Sequence, residues 1–164
     1  ARDPRAQRRG DSSLARREAA EKILGTVGGA RLRFGLSCGT LGGSAHVPLR
    51  LERLEQAPQS KALSCELRHD PRLEVRRVCL GPAAREAGAE ATFEALGPGR
   101  IRLSVRGGRP LGPGELLVVE LAVPPASPGA ELPTYLPLEA IALRLDEGEP
   151  RLGAGARGAL LLEQ

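Results

Sequence analysis

Residues 62–81 read ALSCELRHDPRLEVRRVCLG, and the fold prediction starts from this stretch. Its first half alternates apolar and polar side chains with a period of two, which is typical of a β-strand that buries one face. Pro71 then fixes its own φ and pushes Asp70 away from helical backbone, while the Asp70 carboxylate can accept nearby backbone amides. The stretch therefore predicts a half-buried strand that ends at a tight turn.

The same alternation recurs along the chain after Gly29. The sequence contains 21 glycines and 14 prolines, which cut it into short segments. Many short strands at this spacing predict an all-β fold, an antiparallel β-sandwich. The alternating or apolar segments are 47–51, 63–67, 101–105, 117–123, 136–138, 143–145 and 160–162.

Basic charge is concentrated at the N-terminus. Residues 1–33 hold nine Arg or Lys against four acids, a net charge of +5, whereas the remainder holds fifteen against sixteen, a net charge of −1. The period of the apolar residues also changes after Gly29. We therefore divide the chain into a basic N-terminal segment, residues 1–29, and a β-sandwich domain, residues 30–164.

The N-terminal segment is predicted to contain one short amphipathic helix over residues 11–27. Asp11 can accept from the free amides of the first turn as N-cap, and Gly28 with Gly29 supplies the C-terminal stop. The narrow apolar side of this helix needs a partner surface, either on its own domain or on a neighbouring molecule. The residues of that side are Leu14, Ala20, Ile23, Leu24 and Val27.

The composition argues against sugar binding, nucleic-acid binding and a membrane-spanning helix. There is no tryptophan, and Phe34, Phe93 and Tyr135 are the only aromatic residues, so ring platforms for sugars or bases are lacking. We expect the two phenylalanines in the core. No apolar run approaches the roughly 20 residues of a membrane span. A removed secretory signal is one explanation for a chain that starts without methionine, so we expect an extracellular or cell-surface location.

Motifs of catalytic and metal sites occur only out of context. Residues 35–39 spell G-x-S-x-G, but no helix is predicted after them, as a nucleophile elbow requires. His46 and His69 are the only histidines, and they form no paired metal-binding motif. The acidic turn at 146–149 could hold calcium, although a solvated turn is the simpler interpretation. We therefore expect no enzymatic activity, no metal site and no cofactor.

Three widely spaced cysteines permit one disulfide and leave one thiol over. Cys65 belongs to the inward series of its strand, so we expect it to be a buried free thiol. That leaves Cys38 with Cys79 as the preferred pair.

The order of these segments resembles the cohesin family. Residues 62–81 look like that family's strand, Tyr-Asp-Pro turn, Leu-Glu-Val and closing Val-x-x-Gly, with His69 where the tyrosine is usual. The other stretches similar to family strands are 99–105, 114–123, 137–148 and 158–162. The resemblance covers roughly residues 31–164. It implies a jelly-roll sandwich of about nine strands that binds dockerin modules through one sheet face and performs no chemistry.

The resemblance places the candidate partner-binding residues at outward positions of the matching strands. One outer face shows Leu116, Val118 and Ala122, which leaves apolar surface that a partner could cover. A loop or the N-terminal helix of the same chain could equally cover it. The ten candidates are Ser64, Glu66, Arg68, Arg102, Ser104, Arg106, Leu116, Val118, Glu120 and Ala122.

Two functions follow from these observations. The first is a cohesin-like protein-interaction module of an extracellular assembly, with a dockerin-like module or another helical element as partner. The alternative is a structural subunit whose N-terminal helix docks on the sheet of another copy, a head-to-tail contact that builds a filament.

Overall fold

The structure is a computed structural model, and it describes residues 26–27, 30–53, 60–129, 131–146 and 151–163. These residues form eleven strands and one short helix, α1 (Pro82–Glu86). The strands are β1 (Thr26–Val27), β2 (Ala30–Phe34), β3 (Ser37–Thr40), β4 (Ser44–Arg53), β5 (Ala62–Arg68), β6 (Glu74–Leu80), β7 (Glu90–Gly97), β8 (Arg100–Arg106), β9 (Gly114–Ala122), β10 (Tyr135–Leu145) and β11 (Arg151–Glu163).

The turn predicted at Asp70–Pro71 is confirmed. The amide of Leu73 donates to the Asp70 carbonyl oxygen at 3.0 Å, which closes a four-residue turn with proline at its second position. Oδ1 of Asp70 accepts from the amide of Arg72 at 2.9 Å. The turn ends β5 and starts β6, as the carboxylate and the proline together dictate.

The strands form two packed layers, which confirms the predicted antiparallel jelly-roll β-sandwich. The first sheet has the order β7–β8–β5–β10–β11 and the second has the order β6–β9–β4–β2. β3 joins the layers, because it pairs antiparallel with β4 and parallel with β11. All other pairs among the described strands are antiparallel.

The structure has two strands more than the predicted nine, because one position beside β4 is shared by two short strands and one further short strand is added next to them. β2 and β3 lie end to end along β4, and β1 adds two residues beside β2. The break falls beside Pro48, whose carbonyl accepts from the amide of Gly35 at 2.9 Å. In an antiparallel strand the N–H and C=O of one residue point to the same neighbouring strand. The side of Pro48 that faces Gly35 therefore has an acceptor but no N–H donor. The missing donor explains why the paired strand breaks there.

Leucine fills the space between the layers. Every one of the largest fully buried side chains is a leucine, and Leu49, Leu103 and Leu121 are examples. Phe34 is partly buried against this core, as predicted. The prediction for Phe93 is wrong, because its side chain is 41% exposed. Among the described strands β7 pairs with β8 alone, so the inward side of Phe93 lies at an open edge of the sandwich.

The predicted helix is wrong at its C-terminal end. Thr26 and Val27 lie in β1, opposite Arg31 and Ala30 of β2, because the free edge of β2 offers backbone hydrogen bonds that these residues take. The earlier part of the predicted helix, with Leu14, Ala20, Ile23 and Leu24, lies outside the described residues. Within the described residues, no helix is long and apolar enough to cross a membrane.

Candidate functional site

The ten predicted binding residues lie on the two different sheets of the sandwich. Six are on β5 and β8 of the first sheet, and four are on β9 of the second. The outer faces of the two layers point in opposite directions, so one compact partner cannot contact both sets. The structure therefore divides the predicted site into two candidate surfaces.

The residues on β5 and β8 are direct cross-strand neighbours. Ser64 pairs with Ser104, and Glu66 pairs with Arg102. The inward positions between them, such as Leu103, are buried, so the six side chains point outward as the alternation predicts. We call the outer surface of β7, β8, β5 and β10 the arginine face. Its arginines are Arg68, Arg100, Arg102, Arg106 and Arg144.

A groove of about 380 Å³ crosses the arginine face. The short side chains of Ser64 and Ser104 form the floor of the groove, and the longer side chains of Glu66, Arg102 and Arg144 form its walls. Hydroxyl groups can both donate and accept, so the groove offers hydrogen bonds at its base and charge at its rim. The full lining is Ser64, Cys65, Glu66, Arg102, Ser104, Ala142 and Arg144.

A β-bulge in β10 builds one wall of this groove. The pairing passes from Ile141 opposite Glu66 to Arg144 opposite Ser64. β10 therefore advances by three residues where β5 advances by two. Ala142 takes the extra position with φ of 52°, which is uncommon for a residue other than glycine. The bulge brings Arg144 to the groove. Sequence reasoning missed Ala142 and Arg144, although the apolar series changes from even positions (Leu136, Leu138) to odd positions (Leu143, Leu145), which signals an inserted residue between them.

Glu66 is the electrostatic centre of the arginine face. Its carboxylate accepts from Nη2 of Arg100 and from Nε of Arg68, each at 2.8 Å, and its side chain is 13% exposed. The hydrogen bond from Arg100, with that from Arg68, lowers the pKa of Glu66 against the opposing effect of burial. The same face carries a second ion pair, Nη1 of Arg102 with Oε2 of Glu94 at 3.3 Å.

Arg106 and Arg144 carry the unpaired charge of this face. Neither forms an ion pair with any other described residue. Both line a second hollow of about 380 Å³, next to the groove, together with Glu90 and Asp146. Oδ1 of Asp146 is already engaged by the backbone amides of Lys61 and Ala62, at 3.1 and 3.2 Å. The two exposed guanidinium groups are thus free to meet an incoming acidic or carbonyl group.

The prediction for Leu116 on the second sheet is wrong, because this side chain is fully buried. The pairing of β9 with β4 passes from Leu117 opposite Leu49 to Glu115 opposite Arg50, which makes Leu116 an extra residue on β9. Leu116 and Leu117 therefore both face the core. Beyond the bulge the alternation holds, and Val118, Glu120 and Ala122 lie half-buried on the outer face.

The preferred Cys38–Cys79 disulfide is also wrong. Both thiols are free and exposed. Cys38 lies on β3 and Cys79 on β6, with β4 and β9 between them, so three strand spacings of about 4.8 Å separate the two strands. A disulfide requires Cα atoms within about 7 Å. Cys65 is a buried free thiol, as predicted, and burial raises its pKa to about 12.

The remaining sequence motifs have structural positions. Ser37 of the G-x-S-x-G motif is buried in β3 and donates to the Gly35 carbonyl at 3.1 Å. Nδ1 of His69 lies 2.8 Å from the Asp70 carbonyl oxygen, inside the turn. Nε2 of His46 lies 3.9 Å from a carboxylate oxygen of Glu120. Across the described ranges, no group of three or more His, Cys, Asp or Glu is placed to hold a metal ion.

Comparison with known structures identifies the fold as that of cohesin modules. A non-cellulosomal cohesin from the archaeon Archaeoglobus fulgidus is 18% identical, with a TM-score of 0.60 over 82% of this chain and 91% of that chain. The sixth cohesin of scaffoldin B from Acetivibrio cellulolyticus, solved in complex with a Cel5 dockerin, is 17% identical, with a TM-score of 0.63 over 82% and 99%.

A third similar structure is a type III cohesin module from the ScaE cell-surface anchoring scaffoldin of Ruminococcus flavefaciens. It is 15% identical, with a TM-score of 0.59 over 90% of this chain and 92% of that chain. No protein-family model and no curated protein sequence matches the chain. The likeness therefore establishes the cohesin fold, and the site must be argued from its own residues.

Proposed function

We propose that this chain is a non-catalytic protein-interaction module that binds a dockerin-like helical partner through the arginine face. The observation that carries the proposal is the groove over Ser64 and Ser104, with the unpaired Arg106 and Arg144 at its side. Two of the similar cohesins, from scaffoldin B and from OlpA of Clostridium thermocellum, were solved in complexes with dockerins. This supports a protein as the partner.

The chemistry of the arginine face indicates what the partner must offer. The serine pair can hydrogen-bond to polar side chains that lie along the groove. Arg106 and Arg144 favour a partner with carboxylates near the end of that groove. Glu66 and Arg102 already form ion pairs with Arg100 and Glu94. They therefore shape the surface more than they attract charged groups of the partner.

An extracellular or cell-surface assembly is part of this proposal. The type III cohesin from Ruminococcus flavefaciens belongs to a cell-surface anchoring scaffoldin, which supports that setting. Immunoblotting of secreted, surface and intracellular fractions of the source organism tests it. Recovery of the chain only from the intracellular fraction contradicts the extracellular setting and leaves the binding face to its own test.

Direct binding to purified dockerin modules tests the partner class. The panel includes the Cel5 dockerin, and titration calorimetry measures the affinity. We expect binding by at least one module, and we expect Arg106→Glu with Arg144→Glu to weaken it by about tenfold or more and to reduce its dependence on salt.

The matched control is Arg50→Glu, an exposed arginine on the outer face of the other sheet, on β4. It reverses one charge, as each of those two substitutions does, but away from the arginine face, and should leave the affinity unchanged. A panel in which no dockerin binds argues against the partner class. Equal losses from Arg50→Glu and from the Arg106 and Arg144 changes argue against the arginine face.

A further inference from the structure

β7 is an edge strand of the first sheet, and its outer side is open. Among the described strands it pairs with β8 alone. That pairing is continuous from Glu90 to Ala95, a stretch without a proline or a bulge. β6, the corresponding edge strand of the second sheet, is interrupted by a bulge between Val75 and Arg77. Bulges and prolines protect sheet edges from added strands, so β7 is the less protected of the two edges.

The hydrogen bonds at the two ends of β8 show which way its backbone groups point. The amide of Gly107 donates to the Lys61 carbonyl at 2.7 Å, and the amide of His69 donates to the Gly99 carbonyl at 2.9 Å. The pairing of β5 with β8 is unbroken between these contacts. Successive residues of an antiparallel strand point their N–H and C=O groups to alternate neighbours. The odd-numbered residues of β8 therefore face β5 with these groups, and the even-numbered residues face β7.

The open edge of β7 is consequently formed by three residues. The even-numbered residues of β8 pair with Glu90, Thr92 and Glu94, which exchange hydrogen bonds with them. The residues in between point their N–H and C=O groups away from β8. An added strand would therefore bond to the backbone of Ala91, Phe93 and Ala95.

β8 shows which side chains suit the outer row of β7. Arg106 lies opposite Glu90, and Arg102 lies opposite Glu94. Nη1 of Arg102 is 3.3 Å from Oε2 of Glu94. Both glutamates are exposed, and Glu90 forms no ion pair with another described residue. A strand on the open edge meets the same row of carboxylates, which favours basic side chains.

The inward row of β7 favours apolar side chains. Phe93 is 41% exposed, and the residue opposite it on β8 is Leu103. A cleft of about 410 Å³ opens between β6 and β7. The inward side chains of an added strand lie on the same side of the sheet as Phe93, over this cleft. Its apolar lining is Leu73, Val75, Phe93, Ala95 and Ile101.

A second copy of the chain is a poor occupant of this edge. Two β7 strands that pair with each other bring Glu90 and Glu94 of both chains to one seam. Like charges on neighbouring strands destabilise such a pair. The same carboxylates that oppose self-pairing attract a basic strand, so they select between the two kinds of partner.

We propose that the open edge of β7 takes up an extended segment of a partner protein in which basic residues alternate with apolar ones. The segment runs antiparallel to β7, as β8 does, and its backbone bonds to Ala91, Phe93 and Ala95. Its basic side chains meet Glu90 and Glu94, and its apolar side chains cover the cleft. This edge is distinct from the groove of the arginine face, so the proposal does not rest on a dockerin-like partner.

A synthetic peptide with the sequence of residues 99–107, GRIRLSVRG, is the probe, because it has the alternation that β7 already accepts. Amide exchange of the intact chain, followed by NMR, reports on single positions. We expect saturating peptide to slow exchange at Ala91, Phe93 and Ala95 by about tenfold or more, as new hydrogen bonds do. A peptide of the same composition with its arginines side by side should leave these rates unchanged. Unchanged rates with both peptides overturn the proposal.

A proline at the open edge tests the backbone contact. Ala95→Pro removes an outward N–H and leaves the hydrogen bonds to β8 in place, so we expect it to weaken peptide binding by about tenfold. Ala95→Ser is the matched control, since it keeps the N–H and should bind as the parent does. Ala95 is exposed, and protection of the Cys65 thiol shows that each variant is folded. Equal affinities of the two variants, measured by fluorescence anisotropy, overturn the proposal.

A reversal of charge tests the outer row. Glu90→Lys should weaken peptide binding by about fivefold or more, because it places like charges opposite each other. Glu163→Lys makes the same change at an exposed position of β11, with β10, β5 and β8 between it and β7, and should change the affinity by less than about twofold. Equal losses in the two variants contradict the proposal, since they reduce the binding to attraction between net charges.

Exchange without peptide distinguishes the other possible occupants. We expect the amides of Ala91, Phe93 and Ala95 to exchange rapidly in the chain alone, at low and at high concentration. Protection that grows with concentration assigns the edge to a second copy. Protection that is already present in dilute solution assigns it to another segment of the same chain. Either result overturns the proposal.

Discussion

Arg100 on β8 donates through Nη2 to Oε1 of Glu66 on β5 at 2.8 Å, across the strand pair that carries the candidate groove. Arg68 donates to the other carboxylate oxygen of Glu66 at the same distance. The two guanidinium groups hold Glu66 as an anion, so its pKa lies below the usual value for a glutamate. This arrangement has a consequence for the stability of the fold at low pH.

Glu66→Gln should lower the free energy of unfolding at pH 7 by about 0.5–1 kcal/mol, the range for well-formed exposed ion pairs. The pKa is lowered on folding, so the ionised carboxylate stabilises the fold above the usual pKa, and this contribution disappears as the pH falls through the lowered value. Urea titrations at pH 7 and at acidic pH measure it. Glu90→Gln is the control, since Glu90 is exposed and forms no ion pair with another described residue. A difference between parent and Glu66→Gln that persists in acid contradicts the prediction.

Cys65 should be the one unreactive thiol of the native protein. Burial raises its pKa to about 12, so the reactive thiolate is scarce, and the reagent cannot reach the sulfur. Cys38 and Cys79 are exposed and should react in the native protein. Timed alkylation with and without denaturant measures all three.

The same burial predicts a loss of stability in alkaline solution. The unfolded chain releases the Cys65 proton at its usual pKa and the folded chain only near 12, so stability falls between these values by up to about 1.4 kcal/mol per pH unit. Cys65→Ala removes this contribution to the slope. If the free energies of unfolding of the parent and of Cys65→Ala change in parallel above pH 9, Cys65 is not the cause of the alkaline loss.

Asp70 should stabilise the turn mainly through its acceptor oxygen. Asp70→Ala removes the hydrogen bond from the Arg72 amide and the ion pair with its guanidinium, and we expect it to cost about 1–2 kcal/mol of unfolding free energy. Asp70→Asn keeps an acceptor for the amide and loses only the charge, so it should cost less than half as much. Thermal unfolding of the two variants gives the comparison. Equal losses in the two variants would assign the effect to the ion pair instead.

Gly81 should tolerate no side chain, although its φ of −80° is open to any residue. Its amide donates to the Leu116 carbonyl at 2.8 Å, and a Cβ at this position would overlap the carbonyl oxygen of Glu115. We expect Gly81→Ala to cost about 1–3 kcal/mol, as overpacked sites do. Gly112→Ala is the control, because a Cβ there meets nothing within 4 Å, and its cost should be near zero. Chemical denaturation of both variants checks the difference.

Local patterns explain why much of the first sheet could be predicted. In β5 and β8 the side chains alternate without a bulge, so each position predicts its own face, and Ser64 and Arg102 point outward as expected. The Asp70–Pro71 turn needs only neighbouring residues, and it too forms as predicted. The closing glycine of the cohesin-like motif, Gly81, has a local cause as well, since it abuts the backbone of β9.

The errors share a different cause, which is the pairing of distant strands. Leu116 is buried because β9 bulges against β4, and no residue near it in sequence signals the bulge. Cys38 and Cys79 remain apart because two strands lie between β3 and β6. Phe93 is exposed because β7 lies at an edge of its sheet.

The sequence by itself determined the class of fold, the ends of the main strands and which side chains of β5 and β8 face outward, because these depend on a period of two and on turn residues a few positions apart. The tertiary structure alone decided that the predicted binding residues fall on opposite faces, that Arg144 enters the groove and that Leu116 turns into the core. Strand order and register join residues far apart in the chain, and a single inserted residue reverses which face a side chain takes.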